Sequence, residues 1–317
     1  MLQSNIYDTL KSSLIQLLVL YDWSLRRLRP RRSTSAHVDG GVVPGSRRML
    51  CVFAHYDRDG WVDDYVVHYL AKLNDLDCEV VFVSNAPDIG SAGVARIRDY
   101  CSRIILRENM GYDFGAWRDG LASCGDLSRY DKVIFANDSV YGPLHDLGPI
   151  FRTMASGGAM VWGITDSLRY GRHLQSYFLV FDRAVVLSDA FQGFWRDLPD
   201  YRLKHVVIIL CEVGLSHTLR RAGFALAAYC DYRDMETDRI MGRGKGMSGK
   251  LPRRPVNMTH YGWDILIRDY RCPFVKVQLL RDNPKRVDDV SNWQAMVAKV
   301  SGYDVRLIQR HLLRVSG

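Results

Sequence analysis

Four short apolar runs limit what this chain can fold into: Met49 to Ala54 (MLCVFA), Cys78 to Ser84 (CEVVFVS), Ser102 to Leu106 (SRIIL) and Asp131 to Ala136 (DKVIFA). Each has the length of a strand, and each is apolar through its body rather than alternating. Segments with helical spacing lie between them, at Val62 to Leu73, more weakly at Ala92 to Tyr100, and at Asp113 to Ala122. Strands buried on both faces and separated by helices predict an α/β fold whose parallel sheet is covered on either side.

From Leu144 the pattern changes. A helix over Leu144 to Met154 precedes strands at Ala159 to Gly163 and Tyr177 to Phe181, whose close spacing predicts antiparallel additions to the sheet. Helices follow around Ala184 to Trp195 and Val206 to Ala222. The stretch Pro30 to Arg48 is rich in Ser, Gly, Pro and Arg and reads as a linker, and Gly242 to Lys250 as a mobile basic loop. Three regions result: an N-terminal helix and linker (1–48), the main domain (49–288) and a helical tail (289–317), with helix over Asp289 to Val315.

The formal net charge of +8 gathers at Arg26 to Arg32 and Arg243 to Arg254. Such charge attracts nucleic acid, acidic lipid or a nucleoside diphosphate. No nucleic-acid module is visible, and the basic runs lack the interleaved aromatics of a single-strand binder. A phosphate ligand or a membrane surface is the better match. The seven cysteines contain no CxxC pair, which argues against a zinc site or a disulfide framework and fits a reducing cytoplasm. No apolar run has the length of a membrane span. Ile6, Leu10, Leu14, Leu17, Leu18 and Trp23 form an apolar helical stripe that leads into the arginines, so this amphipathic helix suits a peripheral membrane contact at the inner face, its own domain, or a partner chain.

Polar clusters recur where the predicted strands end: His55-Tyr56-Asp57, Ser84-Asn85, Arg107-Glu108-Asn109 and Asn137-Asp138-Ser139. In open α/β sheets ligands bind beyond the carboxyl ends of the strands. Asp138 is thus placed to hold a sugar hydroxyl or a phosphate-bound metal, although Asn-Asp-Ser is also ordinary turn chemistry. The turn Gly111-Tyr112-Asp113-Phe114-Gly115 opens the next helix, where Asp113 supplies a second acid or caps Phe114 to Ala122.

FAHYDxxGxVDxYVxxYL, VVFVSN, RENxGYDFGAW, YDxVIxxNDSxYGP, WGxT, HLQSYFLVF, CEVGLS, NMTHYGW and PFVKVQLLRDNP follow one another between Leu50 and Pro284. In this ordered series the chain resembles the rhamnan synthesis protein F family of bacterial polysaccharide glycosyltransferases. The resemblance implies a GT-A-like, Rossmann-type mixed and mostly parallel sheet. It implies a nucleotide-sugar donor, typically dTDP-L-rhamnose, and a glycan or lipid-linked glycan acceptor. Asn137-Asp138-Ser139 sits where GT-A enzymes carry an Asp-x-Asp motif; with one carboxylate in the triplet, use of Mg²⁺ or Mn²⁺ stays open, with Asp138 and His260 as its ligands. His55, Tyr56 and Asn85 fall near base and ribose, while Trp117 and Arg118 face the donor sugar or pack.

For inverting transfer, Glu212 is the general base and Asp166 the second choice. An acid directly after an apolar run must be paired or functional, and its bland alternative is an ion pair with Arg220 or Arg221. His173, Gln175 and Ser176 suit sugar hydroxyls, and His260, Lys276 and Arg281 the departing diphosphate. Two other readings are a transferase with a different nucleotide-sugar donor and a non-catalytic glycan- or nucleotide-binding subunit of a polysaccharide-assembly complex.

Overall fold

The structure, a computed structural model, describes residues 15–25, 27, 36–240, 255–288 and 290–316. Its strands are β1 (Ala36–Asp39), β2 (Met49–His55), β3 (Cys78–Ser84), β4 (Arg103–Leu106), β5 (Lys132–Asn137), β6 (Val140–Tyr141), β7 (Val161–Ser167), β8 (His173–Leu174), β9 (Phe178–Asp182), β10 (Leu226–Cys230) and β11 (Val275–Lys276). The main sheet runs β1-β4-β3-β2-β5-β9-β7-β10, with β8 added on β7, and β6 pairs separately with β11.

The four apolar runs form its parallel centre, β4-β3-β2-β5. Every residue of β3 and all but the first of β2 are buried, which is why these runs carry no alternation. As expected, β9 is antiparallel to both β5 and β7. Two apolar cores lie on the two faces of the sheet. One joins Phe53, Tyr69 and Phe82 to Trp263, Phe274, Trp293 and Ile308; the other joins Val52, Val83 and Phe135 to Trp117, Phe191 and Trp195. The mixed, mostly parallel sheet with helices on both faces is therefore present.

Several elements differ in detail from expectation. Residues 36–39, within the presumed linker, form β1 and pair antiparallel with β4 from Ala36↔Leu106 to Asp39↔Arg103. They cover a sheet edge that would otherwise expose unpaired backbone. The helix expected over 206–222 runs from Lys204 to Arg221, and its middle, Val207–Val213, is a π-helical segment. The region 289–317 supplies helices Trp293–Val300 and Arg306–Ser316, whose Trp293, Val297 and Ile308 are buried in the first core. Within the expected Ile6 to Leu28 helix, residues 15–25 are helical. Its first part, Ile6 to Leu14, and the loop Gly242 to Lys250 lie outside the described residues.

The chain leaves β2 for β3 and β4 on one side, then returns to β5 on the other. The ends of β2 and β5 thus form the topological switch point at which such sheets bind ligands. The helix Tyr112–Ala122 starts beside this point from Gly111, whose φ of +74° suits glycine, and from Tyr112 at φ +53°. At Gly120 a Cβ would come within 2.3 Å of Val52 Cγ1, so the bare position lets the helix seat on β2.

Candidate active site

Asp138 ties the two switch-point strands together. Its Oδ2 accepts a hydrogen bond of 2.8 Å from Tyr56 N, and its own N–H donates to Ala54 O at 3.2 Å. Tyr65 Oη donates to Asp138 O at 3.0 Å, and His55 Nε2 stands 3.9 Å from Asp138 Oδ2. Burial pushes the Asp138 carboxyl well above the ordinary carboxylate range, only partly offset by the Tyr56 amide. Burial also pulls His55 down to about 4, so its imidazole is neutral. That imidazole donates from Nε2 to Trp61 O at 3.0 Å and accepts at Nδ1 from Ser84 Oγ, also at 3.0 Å. His55 is an internal strut, whereas Tyr56 is 46% exposed.

A second set stands beside Asp138. Asn137 Nδ2 donates to Asp113 Oδ2 at 2.8 Å, and Asn137 Oδ1 accepts from Ser139 Oγ at 2.6 Å. Lys276 Nζ donates to Ser139 Oγ at 3.3 Å and lies 4.2 Å from the centre of the Tyr177 ring. The sheet itself delivers the lysine, because β11 pairs with β6 in the register Lys276↔Val140 and Val277 N donates to Ser139 O at 3.0 Å. Burial pulls Lys276 down to about 8, opposed by Glu212 and Asp113. Burial lifts Asp113 to about 6, opposed first by Lys276. Asp113 is no N-cap; that position is Gly111, and the Asp113 carboxylate turns inward to Asn137.

Glu212 projects from the π-helical segment, a local widening of the helix that recurs at functional sites. Its Oε2 accepts from Ser176 N at 2.8 Å and Ser176 Oγ at 2.5 Å, and Oε1 is 3.3 Å from His173 Nε2. Burial alone would raise the Glu212 pKa; His173 and Ser176 outweigh it and hold the carboxyl below its ordinary value. His173, which donates from Nδ1 to Gly171 O at 2.8 Å, is raised by the same pairing despite its burial. The Glu212 side chain as a whole keeps 17% exposure. Its charged partner is His173; Arg220 instead donates to Arg172 O.

Other expected site residues occupy supporting places. Trp117 does not face a donor: it is fully buried, donates from Nε1 to Ala136 O at 3.0 Å and stacks on Phe135 at 5.3 Å between ring centres. Arg118 packs against Asp119, Asp200 and Leu198 O. Asn85 donates to Tyr112 O at 3.1 Å and accepts from Arg107 Nη1 at 2.6 Å, fixing the turn that carries Asp113. Gln175 bonds Thr165 Oγ1 and Asn257 Oδ1 through its two amide ends. Asp166 accepts from Arg172 Nε and from Tyr232 N, each at 2.7 Å. Arg281 folds onto its neighbour Asp282.

Sequence reasoning missed Trp61, which is 57% exposed on the loop after β2, and Tyr177, the ring under Lys276. It also missed the group Asp57, Asp63 and His311, whose ligand atoms lie within 4.8 Å of one another among the described residues. Arg314 already stands between those acids: its Nη2 is 2.5 Å from Asp57 Oδ2 and from Asp63 Oδ2, and its Nε 3.1 Å from Asp63 Oδ1. His260, the other expected metal ligand, is pulled down to about 4 by burial and by the field of Lys276, Lys285 and Lys204, a setting that repels a cation. Among the described residues, the side chains with metal-ligand spacing are thus Asp57, Asp63 and His311 rather than the expected pair Asp138 and His260.

Compared with known proteins, residues 80–317 match the family described as rhamnan synthesis protein F. The chain is 36% identical over 235 residues to "Uncharacterized protein y4gN" of Sinorhizobium fredii, a match covering 71% of this chain and 61% of that protein. It is 27% identical over 268 residues to "Virulence protein VirA" of Vibrio anguillarum, covering 77% of this chain and 86% of the other. Among solved structures, the glycosyltransferase GlyE of Streptococcus pneumoniae is similar with a TM-score of 0.41 at 12% identity, over 85% of this chain and 64% of that one.

Proposed function

Since the chain belongs to the rhamnan synthesis protein F family, we propose that it is a glycosyltransferase of polysaccharide synthesis that uses a nucleotide-sugar donor and inverts the anomeric centre. The donor proposed first is dTDP-L-rhamnose, and the acceptor a lipid-linked glycan. The observation that carries the reading is the pairing of Glu212, held in its ionised form by His173 and Ser176, with a buried lysine whose charge Glu212 and Asp113 both sustain. A base and a cation across one polar mouth are what single displacement at a sugar phosphate needs.

In this reaction the acceptor hydroxyl attacks the anomeric carbon while Glu212 takes its proton. The bond from that carbon to the diphosphate oxygen breaks, and the electron pair leaves with the diphosphate. Lys276 faces the charge that builds on this leaving group. Asp113 and Asn137 offer an acceptor and an amide for sugar hydroxyls, and exposed Tyr56 and Trp61 offer flat faces for the base. Ser176 and His173 hold Glu212 in its ionised form and fix its direction.

The helix over residues 15–25 fits a peripheral lipid contact, close to a lipid-linked acceptor. A thermal-shift panel of nucleotide sugars tests the donor assignment, because a ligand that binds only the folded state raises apparent stability. A rise with dTDP-rhamnose above that with UDP- or GDP-sugars is expected. No rise with any nucleotide or nucleotide sugar would remove the reading.

A further inference from the structure

We propose that Arg314 is a built-in cation: its guanidinium takes the seat that Asp57, Asp63 and His311 would otherwise offer a divalent ion, and so holds the loop after β2 in its ligand-ready shape. The shape of the seat supports this. Two stretches distant in sequence converge on it: the loop after β2, through Asp57 and through Asp63 at the start of helix Asp64–Asp75, and helix Arg306–Ser316, through His311 and Arg314. The ligand atoms are close enough together to share one ion. Carboxylate oxygens with an imidazole make a donor set suited to Mn²⁺.

What occupies the seat is an arginine fork. It reaches both carboxylates, with Asp57 Oδ2 and Asp63 Oδ2 each 2.5 Å from Nη2. Planar, bidentate geometry of this kind favours arginine over lysine. Asp57 uses its other oxygen on the loop itself, accepting from Asp59 N at 2.9 Å and Trp61 N at 3.0 Å. The cation therefore fixes the carboxylate that fixes the loop. The guanidinium also lies 5.8 Å from the centre of the exposed Trp61 ring, and His311 is anchored by Tyr141 Oη at 2.6 Å from its Nδ1.

Arg314 is a positioning residue, acting on the donor mouth through Asp57 and Trp61. Its effect on donor binding rests on the transferase reading; the identity of the seat does not. The full chain is titrated with Mn²⁺ alone and the free ion followed by electron paramagnetic resonance, for wild type, Arg314→Ala, and Arg314→Ala combined with Asp63→Asn. Expected are one Mn²⁺ per chain in Arg314→Ala, bound at least tenfold more tightly than by wild type, and loss of that site in the double variant. The melting temperature of Arg314→Ala should rise with Mn²⁺ while that of wild type stays fixed. If Arg314→Ala misfolds, Arg314→Met keeps the aliphatic stem and carries the same expectation.

Equal Mn²⁺ affinity in wild type and variant, or a folded variant that binds none, would overturn the proposal. Nucleotide-sugar binding to wild type in EDTA should match that in Mn²⁺, and a strict need for Mn²⁺ would also overturn it. Absence of nucleotide binding under both conditions would count against the transferase reading and leave the Mn²⁺ titration to decide the seat.

Discussion

Glu212→Gln keeps the shape of the side chain and most of its contacts but removes the proton acceptor. Positioned proton transfer contributes roughly 10²- to 10⁴-fold, so turnover should fall in that range while donor affinity holds; steady-state rates and nucleotide-sugar titration read the two separately. Wild-type turnover in the variant would mean that another group takes the proton. Lys276 makes a second prediction with a definite sign. Its pKa near 8 means that the cation is present below that pH and lost above it. Donor affinity should therefore decline as pH rises through about 8, and in Lys276→Arg this decline should vanish, because arginine stays charged. A flat wild-type profile would remove Lys276 from the diphosphate site. Glu212 was legible in sequence because an acid after VVIIL needs a reason, but its partner was not. Arg220 and Arg221 are near in sequence, while His173 reaches Glu212 only through the fold. Arg314 had no local signal at all, since it meets Asp63 from 251 residues away.

At the scale of elements, legibility followed burial. β2 to β5 stood out because their residues are apolar on both faces, whereas β1, β6, β10 and β11 are short or only partly buried and owe their form to a neighbour's edge. The π-helical register within 204–221 left no trace in the apolar pattern. Helix Tyr112–Ala122 shows the limit of pattern most clearly. Its start and end were readable, but an aromatic beside a polar turn looks the same whether it lines a ligand or fills a core. Trp117 fills the core between the helix, Phe135 and Phe114. Trp117→Ala should cost about 3–5 kcal/mol, the usual penalty for emptying a large buried aromatic site, as read by denaturant unfolding. Nucleotide binding by the molecules that remain folded should be unchanged; selective loss of binding at full stability would restore Trp117 to the donor site.

For the whole molecule, the open question of the sequence was what residues 15–25 face. One side is tied to the domain: buried Asp22 accepts from Arg202 N at 2.6 Å and Leu203 N at 2.8 Å, at the start of the helix that carries Glu212. The other side is apolar and open, with Leu17 and Leu20 each 63% exposed and Tyr21 57% exposed. Arg27 lies over the Trp23 ring at 4.1 Å, which places a cation beside that surface, and no helix among the described residues is long and apolar enough to cross a membrane. An apolar face edged by arginine suits the boundary of an anionic bilayer, where each basic residue near the surface adds about 1 kcal/mol. The chain should therefore co-sediment with vesicles containing phosphatidylglycerol and much less with phosphatidylcholine alone, the difference shrinking as salt screens the charge. Leu17→Asp combined with Leu20→Asp should abolish that binding without lowering the melting temperature, since both side chains point away from the domain. Vesicle binding that survives the double substitution would move the contact elsewhere, and a large drop in melting temperature would show that this face is covered by the protein's own fold.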